Sequence, residues 1–209
     1  MVVRVRQHVN PLSKKFQTAT PTPDWQAIYE VQQPLHLDIG CAKGQFLLEM
    51  AQIRPDWNFL GVEIRQPLVE QANWHRDRLG LRNLHYLFGN INVSLPVLLS
   101  HHSVQGVTIQ FPDPWFKRRQ QKRRVVQPQL VDELSRCLQP GGFVFIQSDV
   151  KEVAIEMRDR IATHAAFILA PSGQDWLTHN PLPIATERER QTLEQGLPVY
   201  RSLFERADI

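Results

Sequence analysis

The chain is nearly devoid of cysteine: Cys41 and Cys137 are its only two in 209 residues. Two thiols make no disulfide framework, so a secreted stapled module is excluded and a reducing, cytoplasmic setting is expected. No apolar run approaches the length of a membrane span and the amino terminus carries no signal-peptide core, so no membrane association is expected. The eight histidines stand in neither an HExxH nor a CxxC setting, and no metal is expected. Internal repeats and low-complexity segments are also missing. What remains is the composition of one soluble globular domain, 42% hydrophobic and 22% charged, long enough to bury a good core.

The net charge of +3 hides a strong asymmetry, because one loop holds six of the 24 basic residues. That loop lies in Gly106 to Arg124, GVTIQFPDPWFKRRQQKRR. Val107, Ile109 and Phe111 alternate with Thr108 and Gln110, as in a buried strand. Pro112 and Pro114 stop it, since neither has an N–H for the ladder. Asp113 sits between the prolines and Trp115 follows; Trp115 reads as a core aromatic. Lys117, Arg118, Arg119, Lys122, Arg123 and Arg124 come next. Two readings stand for this basic run: a solvated loop, or a surface that attracts a phosphate backbone by counterion release.

Residues 1–34 lack periodicity and carry Arg4, Arg6, His8, Lys14 and Lys15; they read as a basic, partly flexible arm. Residues 35–209 read as a single domain. Strands are expected at 35–39, 58–64, 84–88, 107–111, 143–148, 167–169 and 199–204. Helices are expected at 45–54, from Pro67 to about 79, at 95–100, from Pro128 with Leu130, Val131, Leu134 and Leu138 buried, and around Val153 to Ile161. Strands alternating with helices imply an α/β fold, an open parallel sheet wound on both faces. Such sheets bind ligands beyond the carboxyl ends of their strands, where strand order reverses. Asp38, Glu63, Asn90, Asp113 and Asp149 all fall at or just after such ends.

Gly40 and Gly44 make the first strand's turn tight and open to close approach by a ligand. The dinucleotide fingerprint fails there: Ala42 and Gln45 stand where Gly and Gly or Ala would be needed. An NAD-dependent oxidoreductase is disfavoured accordingly. A cationic cofactor without phosphates suits the acids better, and S-adenosylmethionine has an ammonium, a sulfonium and a ribose diol. Glu63 lies where an acid would accept the ribose hydroxyls, and Asn90 is placed to hydrogen-bond the adenine edge.

On LDIGCAKGQF, FLGVEI, QFPDPWFKRR, the lead-in RQHVNPL and the tail from Thr186 to Arg206, the chain resembles the bacterial tRNA (guanine-N7)-methyltransferases. That resemblance implies a Rossmann-like class I methyltransferase fold, with a central, mostly parallel seven-stranded sheet between helices. It implies transfer of a methyl group from S-adenosylmethionine to N7 of a guanosine in the tRNA variable loop, with S-adenosylhomocysteine as product. Carried over by position, Asp38, Gly40, Gly44, Glu63, Asn90 and Asp113 would hold the cofactor, with Asp113 also catalytic. Lys117, Asp149, Thr186 and Glu189 would contact the nucleoside; Arg119, Lys122, Arg123 and Arg124 would lie on the RNA. No obligate protein partner is implied, and monomer and homodimer are both open. The chain departs from the family at Asp38 (often Glu), Asn90 (usually Asp), Ala42 (Gly) and Arg188 (an aromatic). Thr186 and Glu189 also satisfy a helix capping box, which needs no ligand. Two competitors share this fold: an exocyclic-amino methyltransferase, and an RNA-binding protein without catalysis.

Overall fold

The computed structural model describes residues 9–170 and 176–208; the arm's first eight residues, Arg4, Arg6 and His8 among them, lie outside the described set. In chain order the elements are α1 (Trp25–Ile28), β1 (Leu35–Ile39), α2 (Gln45–Ile53), β2 (Asn58–Glu63), α3 (Gln66–Leu79) and β3 (Leu84–Phe88). Then come α4 (Ile91–Leu98), β4 (Val104–Gln110), α5 (Pro128–Cys137), β5 (Leu138–Ser148) and α6 (Lys151–Ala162). The chain closes with β6 (Phe167–Leu169), α7 (Glu187–Glu194) and β7 (Tyr200–Arg206). The strands form one sheet in the order β3-β2-β1-β4-β5-β7-β6. β1 to β5 pair in parallel, and β7 runs antiparallel between β5 and β6. The expected mostly parallel sheet is therefore present, and its order reverses between β1 and β4.

Several boundaries differ from the sequence expectation, each for a local reason. Helix α4 starts four residues before the expected Leu95, because Asn90 caps it by accepting from the Asn92 amide. Strand β4 ends at Gln110, since Phe111 takes a left-handed φ of +49°. Strand β5 reaches back to Leu138 through Pro140-Gly141-Gly142, with a register shift against β4 between Val104 and Gly106. Cys137, not Leu138, completes the buried stripe of α5.

Side chains alternate across the sheet, and the register sorts them into two unlike faces. One face is mainly apolar: Leu37, Leu60, Val107, Val144 and their neighbours pack on α4, α5 and α6. The other is apolar only at its lower end, where Phe59, Leu84 and Tyr86 meet α2 and α3. Toward its carboxyl end polar positions predominate, although Phe145 is level with Thr108 and Phe88 with Glu63. Asp38, Glu63, Thr108, Gln110, Gln147 and Arg201 share that side, and Gln110, Gln147 and Arg201 lie abreast on three adjacent strands.

From residue 9 onward the amino-terminal arm is tied to the domain. Phe16 is buried edge-on against Phe88. Thr20 donates to the Phe88 carbonyl, Trp25 Nε1 to Leu98 and the Tyr29 hydroxyl to Phe59.

Tyr86 also explains a glycine inside β2. A Cβ on Gly61 would sit 2.5 Å from the Tyr86 ring and 2.7 Å from Cys41 Sγ. Gly61→Ala is expected to lower unfolding free energy by about 1–3 kcal/mol, the range for overpacking a tight interior. Urea denaturation reads it directly; an unchanged midpoint would show that Tyr86 yields freely.

Candidate active site

The turn after β1 is built from three left-handed residues, Gly40 (φ +79°), Ala42 (+49°) and Gly44 (+75°). Glycine is needed at 44 on two counts, because a Cβ there would lie 2.6 Å from the Tyr86 ring. Below the turn, the Tyr86 hydroxyl donates to the Gly44 carbonyl at 2.6 Å. Beside it, Glu63 Oε2 accepts from the Ala42 amide at 3.0 Å. A Cβ on Gly40 would meet nothing within 4 Å, so the space over the end of β1 is open.

Asp38 lies under that space, 4% exposed. The Thr108 hydroxyl donates to its Oδ1 at 2.6 Å, and Gln110 Nε2 stands 3.5 Å away. Beneath, His36 Nε2 is 3.0 Å from Thr108 Oγ1, with its ring among Phe46, Trp57, Phe59 and Phe143. Thr108 has one proton and gives it to Asp38, so His36 must donate from Nε2. Burial holds that imidazole neutral, lowering its pKa to about 3. Burial raises the Asp38 carboxyl to about 6; the Thr108 and Gln110 bonds oppose this and nearby Glu63 adds to it. Among the described residues no cation pairs with Asp38 in a salt bridge. A buried acid held only by neutral donors, beside a second acid, is built to receive a positive charge.

Glu63, also buried, accepts from Ala42 N, Arg65 N, Arg65 Nε (2.8 Å) and Arg65 Nη2 (3.1 Å). Arg65 reaches electrostatically to Asp113 as well, linking the ends of β2 and β4. Asn90 departs from expectation. Its Nδ2 donates to the Pro11 and Phe16 carbonyls, and its Oδ1 caps α4. The reverse amide orientation would set an oxygen against two carbonyls, so the assignment follows from chemistry. Both amide hydrogens are thus spent on the arm, leaving one acceptor lone pair for an adenine edge.

Asp113 is half-buried between its prolines, flanked by Phe111 at φ +49° and Trp115 at +42°. Two bulky aromatics in the left-handed region store strain, which persists only where the surroundings fix it. Arg124 supplies the fixing: its Nε donates to the Pro114 carbonyl at 2.8 Å, and its guanidinium pairs with Glu156 of α6. Arg123 stacks over Trp115, 5.0 Å from the ring centroid, so Trp115 is half-buried on a cation instead of in the core. Arg124 is therefore a correction to the RNA-facing set: at 7% exposed it closes the loop. Lys117, Arg118, Arg119 and Lys122 stay on the surface.

On the far side Thr186 caps α7, accepting from the Glu189 amide at 3.1 Å. The return half of the capping box is absent, because the Glu189 carboxylate turns inward. Its Oε1 takes two bonds from Arg201; its Oε2 takes Gln147 at 3.0 Å and Asn180 at 2.8 Å. Gln147 in turn donates to Gln110 Oε1 at 2.8 Å. Asp149 is held by Arg188, at the position where the family resemblance expects an aromatic. Sequence reasoning missed Arg65, Tyr86, Thr108, Gln110 and Gln147 as parts of the site. The signal for the last three was present: polar residues alternating into buried strands on the same face as Asp38.

A groove of about 560 Å³ lies at the opposite end of the sheet, bordered by Glu30, Gln52 and Asn83. It gathers no comparable set of acids, so the chemistry selects the carboxyl edge. Among the described residues no group of three or more His, Cys, Asp or Glu side chains could hold a metal ion, and no helix is long and apolar enough to cross a membrane.

The Asp38 environment has a measurable consequence. A carboxyl raised from 3.8 to about 6 by folding stabilises the fold below the unfolded value, and that contribution is lost as pH rises through about 6. The ionised group then costs up to about 3 kcal/mol at neutral pH. Asp38→Asn should therefore raise the denaturation midpoint at pH 8 and lose most of that advantage at pH 4. An equal difference at both pH values would contradict the assignment.

Known proteins share this chain's sequence and fold. A family model of methyltransferases, Methyltransf_4, matches residues 32–202. A tRNA (guanine-N(7)-)-methyltransferase of Trichormus variabilis is 59% identical over 208 residues, covering 98% of this chain and 96% of its own. One from Thermosynechococcus vestitus is 60% identical, covering 100% and 98%. Among solved structures, the 16S rRNA methyltransferase KamB superposes with a TM-score of 0.63 at 16% identity, over 92% of this chain and 97% of that one. The antibiotic-resistance methyltransferase Kmr gives 0.58 at 14% identity, over 88% and 90%. Those two likenesses concern the fold alone. By its sequence relatives, with the Pro-Asp-Pro-Trp turn on the edge of a class I methyltransferase sheet, the chain belongs to the tRNA (guanine-N(7)-)-methyltransferase family.

Proposed function

We propose that the chain methylates N7 of a guanosine in the tRNA variable loop, using S-adenosylmethionine. The observation that carries this reading is the strained Asp113 turn, fixed by Arg124 at the strand-order reversal, next to buried acids suited to a cationic ligand. The residues present fit such a donor. Open space over Gly40 admits a group close to the backbone, and Asp38 offers buried negative charge to an ammonium. Glu63 would take the ribose diol by exchanging its Arg65 guanidinium bonds, and Gly44 with Tyr86 keeps the turn rigid. When bound, S-adenosylmethionine supplies an electrophilic methyl group on a sulfonium.

Guanine N7 has an in-plane lone pair and no proton, so this chain need not provide a general base. Its task is in-line placement of the two reactants and an electrostatic setting for the positive charge that develops on the purine. Asp113 is suited to both, being anchored by two prolines and half-buried beside Arg65. Lys117, Asp149 and the Thr186 to Glu189 segment form the nucleoside side. Glu189 would reach a base only by exchanging Asn180 or Gln147, and its present bonds make it equally an anchor for α7. Arg119 and Lys122, with Arg118, face the phosphates, while Arg123 supports them through Trp115.

Transfer of labelled methyl to unmodified tRNA, followed by nucleoside digestion, tests the whole reading. N7-methylguanosine is expected, and it should vanish when the variable-loop guanosine is replaced. A different methylated nucleoside would overturn the assignment. Asp113→Asn should lower turnover at saturating substrates on the order of 10²-fold; full turnover would remove its electrostatic role. Arg119→Ala should reduce the salt dependence of tRNA binding by about one phosphate contact. Arg124→Ala should leave that slope unchanged while lowering turnover and stability. Equal slopes for the two variants' losses would return Arg124 to the RNA-facing set.

A further inference from the structure

Phe116 is 70% exposed, more than any other large hydrophobic side chain among the described residues. A single exposed aromatic is ordinary on a protein surface; its surroundings are not. The loop that carries it is closed at its base, where Arg124 Nε meets the Pro114 carbonyl at 2.8 Å and Arg123 covers Trp115. Trp115, at φ +42°, keeps its ring half-buried on Arg123, and the next residue stands outward. The ring therefore rides on a fixed base. Exposed Lys117, Arg118 and Arg119 follow it directly, and Asp113 is three residues away, within about 11 Å along the chain.

An apolar protein partner would be poorly served by one ring beside three cations. A polyanion whose monomers have flat π-faces matches both features, since cations hold phosphates and aromatics stack on bases. The proposed reaction adds a geometric demand. N7 must be met in the plane of its ring by a donor held at the sheet edge, so the guanosine has to leave its stack. Its departure exposes the face of a neighbouring base, which is costly unless something covers it.

We propose that Phe116 stacks on an RNA base next to the target guanosine and holds the target out of its stack. This rests on the tRNA methyl-transfer reading and names the residue by which that site would open folded RNA.

The experiment compares wild type with Phe116→Ala, Phe116→Trp and Phe116→Leu on folded tRNA. Wild-type formation of N7-methylguanosine is the control, and its failure would indict the functional reading, not Phe116. With the control met, Phe116→Ala should lose about tenfold or more in kcat/KM. Phe116→Trp should retain activity, and Phe116→Leu should resemble Ala, because stacking needs a π-face. The salt slope of tRNA binding and the affinity for S-adenosylhomocysteine should be unchanged in all three. A tRNA carrying 2-aminopurine beside the target should change its fluorescence on binding wild type and the Trp variant, but not Ala or Leu. Wild-type kcat/KM in Phe116→Ala, or recovery in Phe116→Leu equal to Phe116→Trp, would overturn the proposal.

Discussion

A carboxylate buried without a cation is the constraint on which this structure turns. Asp38 sits at the end of β1 under the open turn, with Thr108 as its close donor and His36 behind Thr108. Keeping it there requires a sheet face that is apolar below and polar above. It also requires an imidazole kept neutral by burial in an aromatic cage, and a second acid, Glu63 at the end of the neighbouring strand β2, paired with Arg65 at the start of α3. The fold would be more stable at neutral pH without the Asp38 charge. A costly group retained at a strand-order reversal is what a binding site for a positively charged ligand looks like energetically.

The second organising device is the first turn of α4. Asn90 holds the arm through Pro11 and Phe16, while Asn92 donates to the Val125 carbonyl just past the basic loop. Arm and loop are thereby fastened two residues apart, at the cap and first turn of one short helix. On the loop's other flank, Arg124 joins Pro114 to Glu156, which also pairs with Arg160 of α6. The strained Asp113 turn is thus held by two helices of one layer, α4 and α6. Strain of this kind persists when packing on several sides over-determines the backbone.

Much of this was legible in the sequence because it rests on local chemistry. Alternating strands, Pro67 and Pro128 at helix starts, and a small-residue turn after β1 are signals within a few residues, and the sheet formed as they indicated. Asp38, Glu63 and Asp113 were legible because strand ends in a parallel sheet converge whatever the detailed packing. What stayed hidden depends on contacts between distant segments. Arg124 looked like one more cation in a basic run, and only its approach to Pro114 and Glu156 shows that it closes the loop. The arm's hold on the Asn90 amide stayed hidden because that arm is some 75 residues earlier in the chain. Glu189 looked available because its partners Arg201, Gln147 and Asn180 come from three different segments.

The most direct test of the central claim is the affinity of S-adenosylhomocysteine measured calorimetrically between pH 5 and pH 8. That compound carries the ammonium and lacks the sulfonium, so it isolates the charge attributed to Asp38. With a carboxyl at about 6, binding should weaken about tenfold from pH 7 to pH 5, with one proton released per molecule bound at the acid end. Adenosine, which has no ammonium, should show no such dependence. Affinity for S-adenosylhomocysteine that stays flat across this range would contradict a buried, cation-seeking Asp38 and the reading of the edge built upon it.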